Sequence, residues 1–277
     1  MKYTFYGTAA AEAIPGIFCE CEACNRARRL GGRNIMTRSQ SVIDGVLGID
    51  FSADSYLHVV NYGMPERDIS SYLITHNHMD HFYLNDFEMR ARGFSNTSGK
   101  VIDIYVTKEG YDVATEKLGT DGRYREFTNL ICIEPFKTFT TKEGYKVTPL
   151  RANHTADPVI FLIEKDGKCV LHSNDTGYYP EETWKYLEEH KPHIDFAEFD
   201  CTMVMVNADD NKHDNHMNFP TVQNVRNRLK EIGCIDENTI NVINHFSHNP
   251  QMIYEDLKVL GESDGFLCSY DGMTVEF

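Results

Sequence analysis

The stretch Ser71-Tyr72-Leu73-Ile74-Thr75-His76-Asn77-His78-Met79-Asp80-His81 runs from an apolar segment straight into four ligand-type side chains. Ser71–Ile74 reads as a strand. His76 and His78 lie two residues apart, so in a chain still extended as it leaves that strand both rings point the same way. Asp80 and His81 fall where the chain turns toward a helix predicted over Tyr83–Ala91, and they can face the same cavity from another side. The H-x-H-x-D-H loop thus supplies donors to two neighbouring cations. Two ions need more ligands than it holds.

Three further residues occur in matching contexts. His154 follows a predicted strand at Tyr145–Leu150, Asp175 follows one at Cys169–His172, and His245 follows one at Ile240–Ile243. Loops after strands are where a layered α/β fold displays its chemistry. Each of these residues alone would read as a hydrogen-bonded surface or core side chain. Beside a loop that leaves two ions short of ligands they become candidates, with His76, His78 and His154 on one ion, Asp80, His81 and His245 on the other, and Asp175 bridging. Imidazole and carboxylate suit Zn²⁺, with Mn²⁺ or Fe²⁺ as alternatives. Asp50, at the end of an apolar strand, is either an acceptor for a ligand imidazole or a strand-end cap.

Outward from these loops the chain shows no repeat, low-complexity tract or linker, so residues 1–277 read as a single domain. Strands are predicted at Lys2–Gly7, Ser41–Phe51, Val101–Val106, Val159–Glu164 and Ile194–Phe199. Helices are predicted at Lys108–Leu118, Pro180–Glu189, Pro220–Ile232 and Pro250–Leu260. Asp166-Gly167 marks a hairpin, and Gly265–Phe277 reads as a closing hairpin over Asp271-Gly272. Strands followed by alternating strands and helices, once in each half, predict an α/β chain built as a four-layer αββα sandwich.

The order H-x-H-x-D-H, His, Asp, His, spanning His76 to His245, resembles that of the metallo-β-lactamase superfamily of hydrolases. The resemblance implies the αββα sandwich, a dinuclear centre at the sheet edge and a bridging hydroxide. Gly7-Thr8, Ile14-Pro15, Cys19-x-Cys21-x-x-Cys24 and Ala27-Arg28 further resemble a subgroup near the carbon–phosphorus lyase accessory phosphodiesterase, which cleaves a cyclic ribose phosphate. That likeness implies a structural zinc on Cys19, Cys21, Cys24 and His248, three residues beyond His245. Three close thiolates without a nearby fourth ligand make a distant histidine chemically sensible. A redox-sensitive thiol cluster without metal is the competing reading. The other five cysteines sit mostly beside apolar neighbours and read as small core residues.

With 27 basic against 42 acidic side chains the chain carries −15, which argues against a nucleic-acid backbone as the main partner. Two divalent ions set against Asp80, Asp175 and a hydroxide leave the cluster at about +1, which favours an anionic small-molecule substrate. The expected activity is hydrolysis of a small-molecule or nucleotide phosphodiester. Asp80 would serve in the catalytic centre and His216 as the acid that protonates the leaving group, since the related phosphodiesterases place a histidine in a comparable segment. An exposed loop histidine is the competing reading of His216, and His213 is a weaker candidate for the same role. A lactonase or thioesterase of the same fold is the nearest alternative. An iron-dependent oxidoreductase is a more distant one, because the di-iron reductases carry Glu where this chain has His78, and a non-catalytic zinc-stabilised binding protein is the third. No run approaches a membrane span and the first residues lack an apolar signal core, so the expectation is a cytoplasmic protein without a membrane partner.

Overall fold

Val159, Phe161 and Ile163 alternate with Ile160 and Leu162 along one strand, and all five are buried. That is the pattern of a strand covered on both faces. The first three join a core with Tyr3, Phe5, Ile49, Leu73 and Phe196, residues drawn from both halves of the chain. The other two join a core with Trp184, Val222, Val225 and Leu257 from the helices outside. A third core sets Val42, Tyr72 and Ile104 against Phe87, Ala114 and Leu118 on the opposite side. Two sheets lie face to face between helix layers, which is the αββα sandwich.

The structure, a computed structural model, describes residues 1–119 and 125–277. In chain order its elements are β1 (Lys2–Gly7), α1 (Glu22–Leu30), β2 (Gln40–Ile43), β3 (Leu47–Ile49), α2 (Ser55–Tyr62), β4 (Ser71–Leu73), α3 (Leu84–Phe87), β5 (Ile102–Val106), α4 (Lys108–Leu118), β6 (Thr128–Cys132) and β7 (Phe139–Thr140). They continue with β8 (Lys146–Arg151), β9 (Val159–Lys165), β10 (Lys168–Ser173), α5 (Glu181–His190), β11 (Phe196–Asp200), α6 (Phe219–Glu231), β12 (Ile240–Asn244), α7 (Tyr254–Glu262), β13 (Leu267–Cys268) and β14 (Thr274–Glu276). One sheet has the order β14-β1-β2-β3-β4-β5-β6 and the other β13-β12-β11-β10-β9-β8-β7. In each, an antiparallel part passes into parallel strands, at β3–β6 and at β10–β13. The loops leaving β4, β10, β11 and β12 begin at the carboxyl ends of parallel strands, the ends at which open α/β sheets gather ligands.

Several expectations need correction. Ser41–Phe51 is two strands, β2 and β3, separated by Asp44-Gly45-Val46, a three-residue connection in which Asp44 and Gly45 hold positive φ (50° and 74°) and the Val46 N–H returns to the Ile43 carbonyl at 3.1 Å. The closing segment is not a hairpin: β13 lies parallel to β12 in one sheet while β14 pairs antiparallel with β1 in the other. The last helix starts at Tyr254 rather than Pro250, and the Asp256 side chain accepts from the Ile253 N–H at that start. The predicted helix at Tyr83–Ala91 is one short α-helical turn, α3, followed by a 3₁₀ turn at Glu88–Arg90. Helices α1 and α2 and strands β6 and β7 were not anticipated. The Asp166-Gly167 hairpin stands as read, with Lys165 opposite Lys168. Among the described residues no helix is long and apolar enough to cross a membrane.

One buried polar group joins the two sheets. The Glu198 carboxylate accepts from the Tyr3 hydroxyl at 2.5 Å and the Asn244 amide at 2.5 Å, and lies 2.6 Å from His172 Nδ1. Burial alone would lower the His172 imidazole, but Glu198 outweighs it and raises its pKa. The pair sits directly beneath the loops that carry the candidate ligands.

Candidate metal centre

The loop after β4 brings His76, His78, Asp80 and His81 to the end of the sandwich, and the loops after β8, β10 and β12 bring His154, Asp175 and His245 to meet them. Donor atoms of His76, His78 and His154 lie within 4.8 Å of one another, and so do those of Asp80, His81, Asp175 and His245. Asp175 joins the two sets: one of its oxygens is 2.5 Å from His81 Nε2, 3.5 Å from His76 Nε2 and 3.4 Å from His245 Nε2. Asp175 and His245 both hold positive φ (47° and 63°), a backbone cost of order 1 kcal/mol each that surrounding packing must offset.

The imidazole nitrogens show what this arrangement suits. His81 Nδ1 is 2.6 Å from Asp50, His154 Nδ1 is 3.1 Å from the Asn215 carbonyl, His245 Nδ1 is 2.8 Å from the Thr202 hydroxyl, and His76 Nδ1 is 3.0 Å from the Thr75 hydroxyl. Asp50 and the Asn215 carbonyl can only accept here, so they take the Nδ1 protons and leave Nε2 of His81 and His154 as the inward-facing atoms. His78 is turned the other way, with Nδ1 inward, 2.9 Å from His76 Nε2 and 3.3 Å from His154 Nε2. Ring nitrogens crowded against one another and against one carboxylate oxygen, each steadied from behind, fit a cation bound by imidazole and carboxylate. Asp50, read from the sequence as an acceptor or a cap, takes the acceptor role for His81 and also receives the Thr75 N–H at 2.8 Å.

Charge in the metal-free protein follows the same geometry. Burial pushes His76 well below its usual pKa, and the neighbouring His81 adds to the effect. Burial would also lower His81, but Asp175, Asp80 and Asp50 together raise it well above the usual value. Burial opposes the charged form of Asp175, yet the histidines around it hold its pKa far down. A proton on His81 therefore takes the place of positive charge in this pocket, and cation binding would release it.

The model of the beta-lactamase superfamily domain matches residues 43–232, more than half of the chain. The chain belongs to the metallo-β-lactamase superfamily. Solved structures agree on the fold. Zinc-bound PqqB from Methylobacterium extorquens shares 18% identity at a TM-score of 0.76, with all of both chains covered. A diphosphatase of the PhnP family shares 17% at 0.73, covering 100% of this chain and 97% of that one. The short form of human tRNase Z shares 15% at 0.66, covering 100% of this chain and 99% of that one. The protein is thus a hydrolase of the metallo-β-lactamase fold, and the ligand-type clusters lie in the strand-end loops of that fold.

His216 enters the same cavity, of about 270 Å³, alongside Glu12, His78, His154, Met203 and Asn249. Its Nδ1 lies 3.1 Å from Asp200 and 3.2 Å from Asp175. Burial would lower its pKa, but Asp200 first and Asp175 next raise it to about 9. His213 is elsewhere, its Nδ1 turned to the backbone carbonyls of Asp214 and His216, and it does not line the cavity. Asp200 was missed in the sequence. It is fully buried, accepts from Met217 N and Thr202 N at 3.0 Å each, and anchors the loop carrying His216. Its signal was available: it ends a strand, as Asp175 and His245 nearly do.

Away from this cavity, Cys19, Cys21, Cys24 and His248 form a second ligand-type cluster in the metallo-β-lactamase-fold chain, with His248 Nδ1 3.6 Å from both Cys19 and Cys21 sulfurs. Burial pushes Cys24 up to about 12. Burial raises Cys21 too, but hydrogen bonds led by the Cys24 backbone bring it down to about 6.

One glycine sets the position of His216. A Cβ on Gly177 would lie 2.5 Å from both Asn215 N and His213 O, so only glycine lets the Asp175 loop pack on the 213–216 loop. Gly177→Ala is expected to shift that loop, and with it the Asn215 carbonyl that steadies His154. Metal affinity at the His76, His78 and His154 cluster should fall about ten- to a hundredfold, measurable by competition with a chromophoric chelator.

Proposed function

We propose that this chain is a dinuclear metal-dependent phosphodiesterase acting on a small-molecule or nucleotide diester. The observation that carries this reading is Asp175, whose one carboxylate reaches both ligand sets and so would hold two cations side by side. His76, His78 and His154 would take one ion; Asp80, His81 and His245 the other, with Zn²⁺ or Mn²⁺ suited to these donors. Such ions, when bound, acidify a coordinated water toward neutrality and neutralise the oxygens of an anionic ester. Cys19, Cys21, Cys24 and His248 would hold a third, structural zinc. The chain's own residues do the rest. Asp50, Thr75 and Thr202 orient the imidazoles, Asp80 presents its carboxylate beside His81, and His216, kept protonated by Asp200, offers a proton to the departing oxygen. A diphosphatase and a tRNase Z among the structural neighbours are in keeping with phosphoester chemistry on this fold.

The test is hydrolysis of bis(p-nitrophenyl) phosphate by zinc- and manganese-loaded protein, run beside lactones and thioesters. Turnover of lactones with none of the diester would overturn the proposal. The role of His216 has its own signature. His216→Asn should lower hydrolysis of a diester with an alkyl leaving group by about 10²–10⁴-fold. A p-nitrophenyl ester, whose leaving group needs no proton, should lose far less. Equal losses on both would mean that His216 only props Asp175.

A further inference from the structure

The loop between β1 and α1 ends in two side chains that nothing covers. Phe18 is 97% exposed and its neighbour Ile17 is 71% exposed. Scattered apolar surface residues are ordinary, but this pair is held rigidly from below. Arg28 donates to the Gly16 and Cys19 carbonyls, each at 2.7 Å, bracketing the pair on both sides. The Gly16 N–H reaches the Cys24 sulfur at 3.3 Å, tying the same turn to the cysteine cluster. A side chain presented on a fixed base loses little freedom when it meets a ligand.

The space beside Phe18 adjoins the histidine-lined cavity across a shared wall residue, Glu12. Glu12 forms a wall of that cavity and also of a second one, of about 420 Å³, lined by Gly16, Phe18, Arg38 and His248. Glu12 is itself fixed, accepting from the Ser247 hydroxyl and lying 3.9 Å from His248 Nε2. Arg38 is fixed as well: its Nε donates to the Ala11 carbonyl at 2.7 Å and its Nη1 contacts both Asp54 oxygens at 3.0 Å. Beside the apolar Ile17 and the cluster residues Cys19 and His248, the second cavity thus offers one aromatic face, one carboxylate and one guanidinium already paired with a carboxylate. That balance suits no further phosphate. It suits a neutral, flat group with a hydrogen-bonding edge.

We propose that this cavity takes the nucleoside of a nucleotide diester, the base stacking on Phe18 while the phosphate lies in the adjoining cavity lined by His78, His154, His216 and His245. The inference rests on the phosphodiesterase reading and narrows its substrate class. Base–aromatic stacking is sequence-tolerant, so the site would accept several bases.

The chain has a single tryptophan, Trp184, which is fully buried. Phe18→Trp therefore places a second, exposed fluorophore at the site. In the zinc-loaded Phe18→Trp protein, adenosine 5′-monophosphate should quench the exposed emission saturably, and ribose 5-phosphate should not. Equal quenching by both, or none by either, overturns the subsite. In kinetics, Phe18→Ala should raise KM for thymidine 5′-(p-nitrophenyl) phosphate about tenfold more than KM for methyl p-nitrophenyl phosphate, with kcat affected less than KM. An equal change for the two esters also overturns it. Wild-type turnover of the methyl ester separates the two ideas. Turnover without adenosine-specific quenching removes the subsite alone. Adenosine-specific quenching without turnover of either ester removes the phosphodiesterase reading and leaves a nucleotide site.

Discussion

Asp175→Ala is expected to retain at most one ion in the cavity and to lose at least about a thousandfold in diester hydrolysis, because no other carboxylate among the described residues reaches both ligand sets. Removing a partner that merely steadies a ligand already costs about ten- to a hundredfold in affinity or activity. Here the lost group contacts His76, His81, His245 and His216 directly. The metal-free protein supplies a second readout. Asp175 has its pKa depressed by the surrounding histidines, so its contribution to stability is present above the usual carboxylate range and lost as pH falls through the depressed folded value. His81 is raised, so its contribution is present below the ordinary imidazole value and lost as pH climbs through the raised one. Both contributions are complete only between the usual carboxylate value and the ordinary imidazole value, so the pair stabilises the chelated protein most at mildly acidic pH and progressively less as pH rises above the imidazole value. Breaking one side of a buried ion pair costs about 3–5 kcal/mol, or roughly ten degrees of Tm in a chain of this size. Metal content by plasma emission and thermal melts in chelator check the two halves separately. A variant with two ions and normal turnover would remove Asp175 from the centre.

How much of this could be read beforehand depended on whether the chemistry was local. H-x-H-x-D-H compresses four donors into one loop, so its meaning survives without knowledge of the fold. His154, Asp175 and His245 were recoverable because each leaves an apolar strand, and strand ends converge in a layered sheet. Asp200 obeys the same logic but closes the run Phe196–Asp200, where a lone acidic residue looks like the strand's polar end. The threonines behind the imidazoles, Thr75 and Thr202, carry no signal of their own. Helix α1 was hidden for a different reason. Glu22–Leu30 is mostly polar and buries only Ala23, Cys24 and Ala27, so its periodicity is faint beside the cysteines. The closing segment misled because Asp271-Gly272 is a local turn signal, whereas strand pairing is settled elsewhere. Phe5 exchanges hydrogen bonds with Met273 and Gly272, both at 2.8 Å, and this places β14 beside β1.

The cysteine cluster carries the other large effect. Cys24→Ser should remove one zinc per chain and leave two in the histidine cavity, because a hydroxyl cannot replace a thiolate on a Cys₃His ion. Folding around structural zinc is worth about 10–16 kcal/mol in isolated peptides, but here the loop has other anchors. Arg26 grips Asp256 at 2.8 and 3.1 Å, and Asn34 donates to Glu255 at 3.0 Å. The variant should therefore stay folded around its three cores and melt roughly ten degrees lower, its loss concentrated between β1 and β2. Hydrogen exchange should show faster opening of α1 with α5 and α6 unchanged. His248 stands three residues beyond His245, so affinity in the cavity should weaken as well, about tenfold. Chelation separates a zinc site from a bare thiol cluster. In the wild type a strong chelator should expose Cys19, Cys21 and Cys24 to alkylation together and reproduce the fall in Tm, while in Cys24→Ser it should shift neither further at this cluster. If all three thiols of untreated wild type alkylate freely, and metal analysis finds no third ion, the cluster holds no zinc, and the rigidity of the Phe18 loop rests on Arg28 and on the Gly16 N–H bond to the Cys24 sulfur.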